Sequence, residues 1–151
     1  MGKLTGIARH DHPRGPIETI DSVEVTVDGG LHGDFRGTVR APGKDKRQVS
    51  LIEAKDWDAA MADVGHSLPW WHRRANLLVE DFDLPQTPGA RIRIGDVVLE
   101  VTCECNPCSR MDELVDGLKL ALMPDWRGGA LARVISGGTI SVGGGIAIEQ
   151  D

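Results

Sequence analysis

Short segments in which apolar and polar residues alternate recur along this chain. Residues 23–27 alternate at every position, which is typical of a strand with one buried face. Residues 91–94 and 97–105 form a predicted hairpin, because Gly95-Asp96 between them suits a tight two-residue turn. The same kind of pattern predicts further short strands over residues 4–9, 47–49, 75–79, 131–135, 139–142 and 146–149.

A first helix is predicted after residue 50, where apolar residues recur at helical spacing. Ser50 and Glu53 have the spacing of a capping box, so we take Ser50 as the N-cap. Gly65 is expected to end the helix. The apolar residues that share one face of this helix are Leu51, Ala54, Trp57, Met61 and Val64.

A second helix is predicted after residue 109. Ser109 and Asp112 repeat the capping-box spacing in its acidic variant. Gly117 lowers the helical propensity of the middle of this segment. The apolar stripe consists of Leu114, Leu118 and Leu122.

Many short strands and two helices predict a mostly β fold. We expect a barrel-like sheet of mixed strands with two or three peripheral α-helices. The 151 residues suit a single domain with one core, and nineteen glycines and eight prolines fit a chain with many turns. Residues 31–46 are rich in glycine, histidine and charge, and we interpret them as a long functional loop.

The overall charge and the cysteine count exclude some partners and favour one compartment. A formal net charge of −6 argues against a general nucleic-acid or anionic-membrane binder. No apolar run is long enough to span a bilayer, and the first residues lack the apolar core of a signal peptide. Three cysteines cannot all pair with one another, so a reducing, cytoplasmic setting is expected.

The three cysteines lie together where the predicted hairpin strand gives way to the second helix. Cys103 and Cys105 continue the apolar face of the strand, so we expect Cys103 in the core and leave Cys105 open. Cys108 comes directly before the expected N-cap Ser109. Helix amides and the Arg110 guanidinium would favour its thiolate, which makes Cys108 the candidate reactive thiol or soft-metal ligand.

The spacing of the cysteines and histidines gives little support to a structural zinc site or to a nucleophilic cysteine–histidine dyad. Cys105 and Cys108 are separated by two residues, but a structural zinc site needs four ligands and no second paired motif occurs, so no zinc is expected. A nucleophilic dyad of Cys108 with His32 or His72 would need a contact that spacing does not indicate.

Five segments of the chain, in order, resemble the MOSC domain, the family named for the C-terminal domain of molybdenum-cofactor sulfurases. They are residues 30–34 (GLHGD), 47–52 (RQVSLI), 74–77 (RANL), 91–102 (RIRIGDVVLEVT) and 107–110 (PCSR). Each is short, but their ordered combination is fairly specific, and the resemblance extends over residues 23–149.

The resemblance implies a β-barrel-like fold that binds a molybdenum cofactor, with Cys108 in the position of the metal-ligating cysteine. A thiolate suits a soft, redox-active metal. Arginines suit the cofactor's phosphate, although each could equally be a solvated surface charge, and Asn76 could bind the pterin or satisfy loop backbone. The residues that the resemblance assigns to cofactor binding are Gly33, Asp34, Arg47, Arg74, Asn76 and Arg110.

Three functions follow as hypotheses. The first is a molybdenum-dependent redox protein that reduces N-hydroxylated or similar compounds with electrons from a partner protein. The second is a sulfur carrier in which Cys108 holds a persulfide received from a sulfur-donor protein. The third is a non-enzymatic barrel that binds a small ligand, with a pocket formed by His10, His12, His32 and the Trp70-Trp71 segment.

Overall fold

The computed structural model describes residues 2–149, which form eleven β-strands and three α-helices. The helices are α1 (Ala54–Val64), α2 (Arg110–Leu114) and α3 (Leu118–Ala121). The strands are β1 (Gly2–Arg9), β2 (Glu18–Ile20), β3 (Ser22–Thr26), β4 (Gly30–Leu31), β5 (Val49–Glu53), β6 (Leu77–Glu80), β7 (Arg91–Ile94), β8 (Val97–Glu104), β9 (Ala130–Ser136), β10 (Gly138–Ser141) and β11 (Gly145–Ile148).

Seven strands close into a mixed β-barrel, which confirms the predicted fold class. Their order is β11-β7-β8-β9-β5-β6-β1, and β1 returns to pair with β11. The β5–β6 pair is parallel and its connection contains α1, whereas the other pairs are antiparallel. Strand β2 extends the sheet beside β1, and β10-β3-β4 form a separate small sheet.

Two apolar clusters stabilise the molecule. One fills the barrel, where Leu4, Leu51, Leu77 and Ile92 have no exposed surface. The other lies outside the barrel and consists mainly of helix residues packed on the outward side chains of β5 and β6. Complete burial of one such aliphatic side chain is worth about 1.5–3 kcal/mol. The principal members of the outer cluster are Ile52, Leu78, Trp57, Met61, Met111, Leu118 and Leu122.

The first predicted helix begins later than the sequence pattern indicated. Ser50 lies in β5 and is not an N-cap, because its backbone and hydroxyl bind Asn76 across the sheet. The helix N-cap is Glu53, which makes no capping hydrogen bond. The predicted end is confirmed, since Gly65 takes the left-handed conformation at φ 71°.

The second predicted helix is divided into α2 and α3. Gly117 interrupts it with φ 87°, in agreement with its low helical propensity. Ser109 is at the N-cap position of α2 but makes no side-chain capping bond. Asp112 instead accepts a hydrogen bond from the amide of Lys119 at 3.0 Å, which holds α3 against α2.

A pH-dependent contribution to stability comes from the first turn of α1. Burial, reinforced by the negative charge of Glu53, raises the pKa of Asp56 to about 6. The folded state therefore keeps this proton at pH values where the unfolded chain has lost it, and Asp56 destabilises the fold progressively as pH rises from about 4 to about 6. For an isolated group, a pKa shift of this size would change the free energy of unfolding by about 3 kcal/mol. The effect of Asp56 is smaller, because water screens a half-buried carboxylate.

We therefore expect Asp56→Asn to raise the free energy of unfolding by about 1 kcal/mol at pH 7.5 and by little at pH 4. Urea titrations at several pH values measure the difference. The control is Asp58→Asn on the same helix, where the side chain is exposed. An equal stability gain from both substitutions, or a gain that does not vary with pH, would contradict the assignment.

Candidate functional site

The segment that follows β8 presents one cysteine to solvent and holds another inside. Cys108 is exposed, whereas Cys105 is buried. The expectation that Cys103 belongs to the core was wrong, because it is only half-buried. The register of β8 on β9 shifts between Val101 and Cys103, and this irregularity ends the simple alternation from which the expectation came.

A single open cavity of about 460 Å³ collects most of the predicted site residues. Gly33 is the exception, since it packs against the side chain of Arg9 outside this cavity. Residues as far apart in the chain as Asp34 and Arg110 thus meet at one surface. The predicted residues that line the cavity are Asp34, Arg47, Arg74, Asn76, Cys108 and Arg110.

Two arginines from different segments, Arg74 and Arg110, line this cavity. Arg74 follows a short 3-10 helix (Trp70–Arg73) in the left-handed conformation, and its guanidinium donates to the carbonyl of Gly15 at 2.7 Å. Partial burial and the nearby positive charge of Arg110 lower the pKa of Arg74. Two like charges held together in this way favour an anion between them.

Asn76 fixes the floor of the cavity. Its side-chain carbonyl accepts the amide of Ser50 at 2.9 Å, and its side-chain NH₂ donates to the carbonyl of Ala8 at 3.1 Å. Its own amide donates to the Ser50 hydroxyl at 3.0 Å. Asn76 thus satisfies backbone groups of neighbouring segments, and its binding of a pterin stays a prediction.

A half-buried histidine, His10, and a buried aspartate, Asp34, also line the cavity. Asp34 accepts the backbone amides of His10 and Arg36, both at 3.2 Å. Burial raises the pKa of Asp34 and lowers that of His10. His10 is therefore neutral near pH 7, and the positive charge of the cavity comes from its arginines.

Arg73 was missed by the sequence analysis although it determines where the cysteine segment lies. The side chain is buried and donates to the carbonyl oxygens of Gly128 (3.1 Å) and Cys105 (2.8 Å). It also contacts the Cys105 sulfur at 3.3 Å. Arg73 adjoins Arg74 in the sequence, and no local pattern indicates which of two neighbouring arginines turns inward.

Gln48 was also missed and secures the loop that carries Arg47. Its side-chain NH₂ donates to the carbonyls of Val27 (2.8 Å) and Gly37 (3.1 Å), and its carbonyl accepts the amide of Val134 at 2.8 Å. These bonds join the small sheet, the loop and the barrel. Arg47 is thus presented from an anchored segment, although its own side chain is exposed.

The cations of this protein divide into two groups. Nine of the seventeen lysines and arginines line the Cys108 cavity or the cavity of about 540 Å³ that shares Arg36 and Arg47 with it, and within residues 2–149 none of these nine forms an ion pair. Of the other eight, six are ion-paired with carboxylates: Arg9, Lys55, Arg91, Arg93, Arg127 and Arg133.

The donor set of the cavity fits the cofactor that the sequence resemblance implied. Cys108 offers an exposed thiol, a suitable soft ligand for molybdenum. Arg47, Arg74 and Arg110 offer guanidinium groups for a phosphate. Residues 2–149 contain no cluster of three or more His, Cys, Asp or Glu side chains able to hold a metal ion by themselves.

The histidines and tryptophans proposed to line a different ligand pocket do not all converge. His10 and His32 line one cavity of about 360 Å³ together with Gly33, and His10 also borders the Cys108 cavity. Trp70 packs against Gly6 and the outer apolar cluster, and Trp71 stacks on His72 with the ring centroids 4.2 Å apart. Neither His32 nor His72 is among the described residues that line the Cys108 cavity.

Comparison with known families identifies the fold. Residues 38–147 match the family model of the MOSC domain, which is most of the chain. The chain belongs to the MOSC domain family. A comparison with curated proteins found no match. None of the helices in residues 2–149 has the length and apolar character needed to cross a membrane.

Solved structures support the same fold for this MOSC domain. YuaD from Bacillus subtilis superposes with a TM-score of 0.73 at 20% identity, covering 97% of this chain and 94% of that one. YiiM from Escherichia coli gives 0.69 at 15% identity, with 99% and 70% covered. YiiM from Geobacillus stearothermophilus gives 0.73 at 14% identity, with 99% and 76% covered.

The buried guanidinium of Arg73 gives a testable prediction. Lysine has one ammonium in place of the planar fork, so Arg73→Lys cannot reach both carbonyls in the same geometry. We expect it to lower the free energy of unfolding by about 2–3 kcal/mol. Urea denaturation measures this, with Arg40→Lys at an exposed position as the control.

The same variant should loosen the cysteine segment. Cys105 is buried in the wild type, and we expect alkylation by iodoacetamide to reach it faster in Arg73→Lys. Unchanged stability together with unchanged protection of Cys105 would show that the Arg73 bonds do not hold this segment.

Proposed function

We propose that this MOSC domain binds a molybdenum cofactor at the Cys108 cavity and uses it in a redox reaction, the reduction of N-hydroxylated or similar compounds with electrons from a partner protein. One observation supports this proposal most directly: the cavity combines an exposed thiol with arginines that form no ion pair within residues 2–149. These unpaired cations occur on a chain whose formal net charge is −6. Family membership supports the choice of cofactor.

The residues of the cavity take distinct parts in this proposal. Cys108 would supply the thiolate ligand, and Arg47, Arg74 and Arg110 would hold the phosphate. Arg73 positions the segment that carries Cys108, through its bond to the carbonyl of Cys105. The cofactor itself supplies the redox chemistry, whereas the protein supplies binding, orientation and electrostatics.

The reducing cytoplasm is the compartment that suits a protein with an exposed functional thiol, and the proposal places the protein there. An electron-donor protein would approach the open side of the cavity.

The test is the metal content and activity of three proteins produced in a host that makes the cofactor. We expect wild type and Cys103→Ser to contain about one molybdenum per chain by elemental analysis, together with the pterin, measured as its fluorescent oxidation product. Cys108→Ser should reduce an N-hydroxylated substrate at least about 100-fold more slowly, because the thiolate ligand is lost.

Cys103→Ser is the matched control, since it makes the same chemical change at a half-buried position outside the cavity lining. Wild-type protein that contains no molybdenum would contradict the proposal. So would equal loss of activity in the two variants.

A sulfur carrier is the second candidate, and the exposure of Cys108 favours it because a persulfide needs an accessible thiol. The Cys108 thiolate would attack the outer sulfur of a donor persulfide, and the donor cysteine would leave as its thiolate. After incubation with a cysteine desulfurase and cysteine, mass spectrometry should find one added sulfur on Cys108. Sulfur confined to Cys103 or Cys105 would exclude this function.

A further inference from the structure

A second cavity of about 540 Å³ adjoins the Cys108 cavity and belongs to the loop between β4 and β5. We call it the annex. Arg36 and Arg47 line both cavities, so the two spaces meet at these side chains. The volume lies in the range of ordinary small-molecule sites. The aromatic and basic residues that line the annex are Phe35, Arg36, Arg40, Lys44, Lys46 and Arg47.

The annex concentrates positive charge without neutralising it. Five of its lining residues are lysine or arginine, none of which is ion-paired within residues 2–149. The nearby carboxylates are already engaged: Asp45 binds Arg133 at 3.2 Å, and Asp34 is buried behind two backbone amides. Gathering five like charges in one concave surface costs energy that a bound anion would offset.

An aromatic ring gives the annex a second chemical property. The guanidinium carbon of Arg40 lies 4.5 Å from the Phe35 ring centroid, and that of Arg36 lies 5.8 Å from it. A guanidinium held against a ring offers its other planar face for stacking. A planar heterocycle that carries phosphates would find both stacking and charge here.

The backbone around the annex is anchored, so the site exists before a ligand arrives. Gln48 binds the carbonyls of Val27 and Gly37 from a buried position. Gly37 lies so close to Gly29 that a Cβ on it would be 2.2 Å from that carbonyl oxygen. A preorganised site loses less ordering entropy on binding.

From these observations we propose that the annex binds the phosphates of a nucleotide. Two sources share this chemistry: a nucleotide attached to the cofactor, and a phosphorylated substrate that contains a nucleotide and whose reactive end lies beside Cys108. The binding step does not require molybdenum, so it can fail or succeed separately from the proposed redox function.

Calorimetric titration of the metal-free protein with ADP, with adenosine as the phosphate-free comparison, tests the annex. The variant is Arg40→Gln/Lys46→Gln. Its control is Lys3→Gln/Lys119→Gln, which changes the net charge equally at exposed positions outside the annex. We expect the Kd for ADP to rise at least about tenfold in the annex variant and to stay within about twofold in the control.

Several outcomes would overturn the proposal. They are no binding of ADP to wild type, adenosine binding as tightly as ADP, and equal weakening in both double variants, which would indicate a general charge effect. Binding of a poly-glutamate peptide without binding of ADP would also overturn it, in favour of an acidic protein surface. Circular dichroism melting curves establish that both variants are folded.

A second measurement distinguishes the two sources. Protein isolated with molybdenum is denatured, and the released nucleotide is quantified. Nucleotide equimolar with molybdenum supports the cofactor source. Molybdenum without nucleotide, in a protein that still binds ADP, supports a phosphorylated substrate. Molybdenum-loaded protein that neither releases nucleotide nor binds ADP contradicts the proposal.

Discussion

The guanidinium of Arg73 donates hydrogen bonds to the carbonyl oxygens of Cys105 and Gly128 from a buried position, and the site is arranged around it. Gly128 precedes β9, and Cys105 follows the neighbouring strand β8. The planar guanidinium presents several donors at once, and Arg73 uses two of them to join these segments. Cys108 lies three residues beyond this junction, so its position depends on Arg73, which also lines the cavity.

The distribution of charge gives the site its second organising feature. Exposed ion pairs contribute little to stability, so the pairing of cations elsewhere on the surface mainly removes positive charge from places where it has no use. The positive charges of the arginines in the two cavities are not neutralised in this way. Groups that are fixed and charged before a ligand arrives lose little in reorganisation when it binds. An acidic protein can thus offer a strongly anion-attracting surface.

The sequence predicted features that depend on local backbone chemistry. The β7–β8 hairpin was predicted because Gly95 can take the positive φ that its turn requires. The start of α1 was predicted wrongly. Ser50 forms hydrogen bonds with Asn76, which is distant in the sequence, and local capping patterns do not take such a partner into account. Cys103 was misplaced by an irregularity of register. Arg73 and Gln48 act entirely through residues distant in the chain, which spacing cannot reveal.

Closure of the barrel has a consequence for how the chain folds. The pairing of β1 with β11 joins Gly2 to Ile146, almost the full length of the described chain apart. Contacts of such long sequence separation slow folding, because the entropy of closing the loop is lost before the contact forms. During synthesis the barrel stays open until its last strand has left the ribosome. The edges of β1 and β7, which both pair with β11 in the closed barrel, are until then unpaired and open to mispairing.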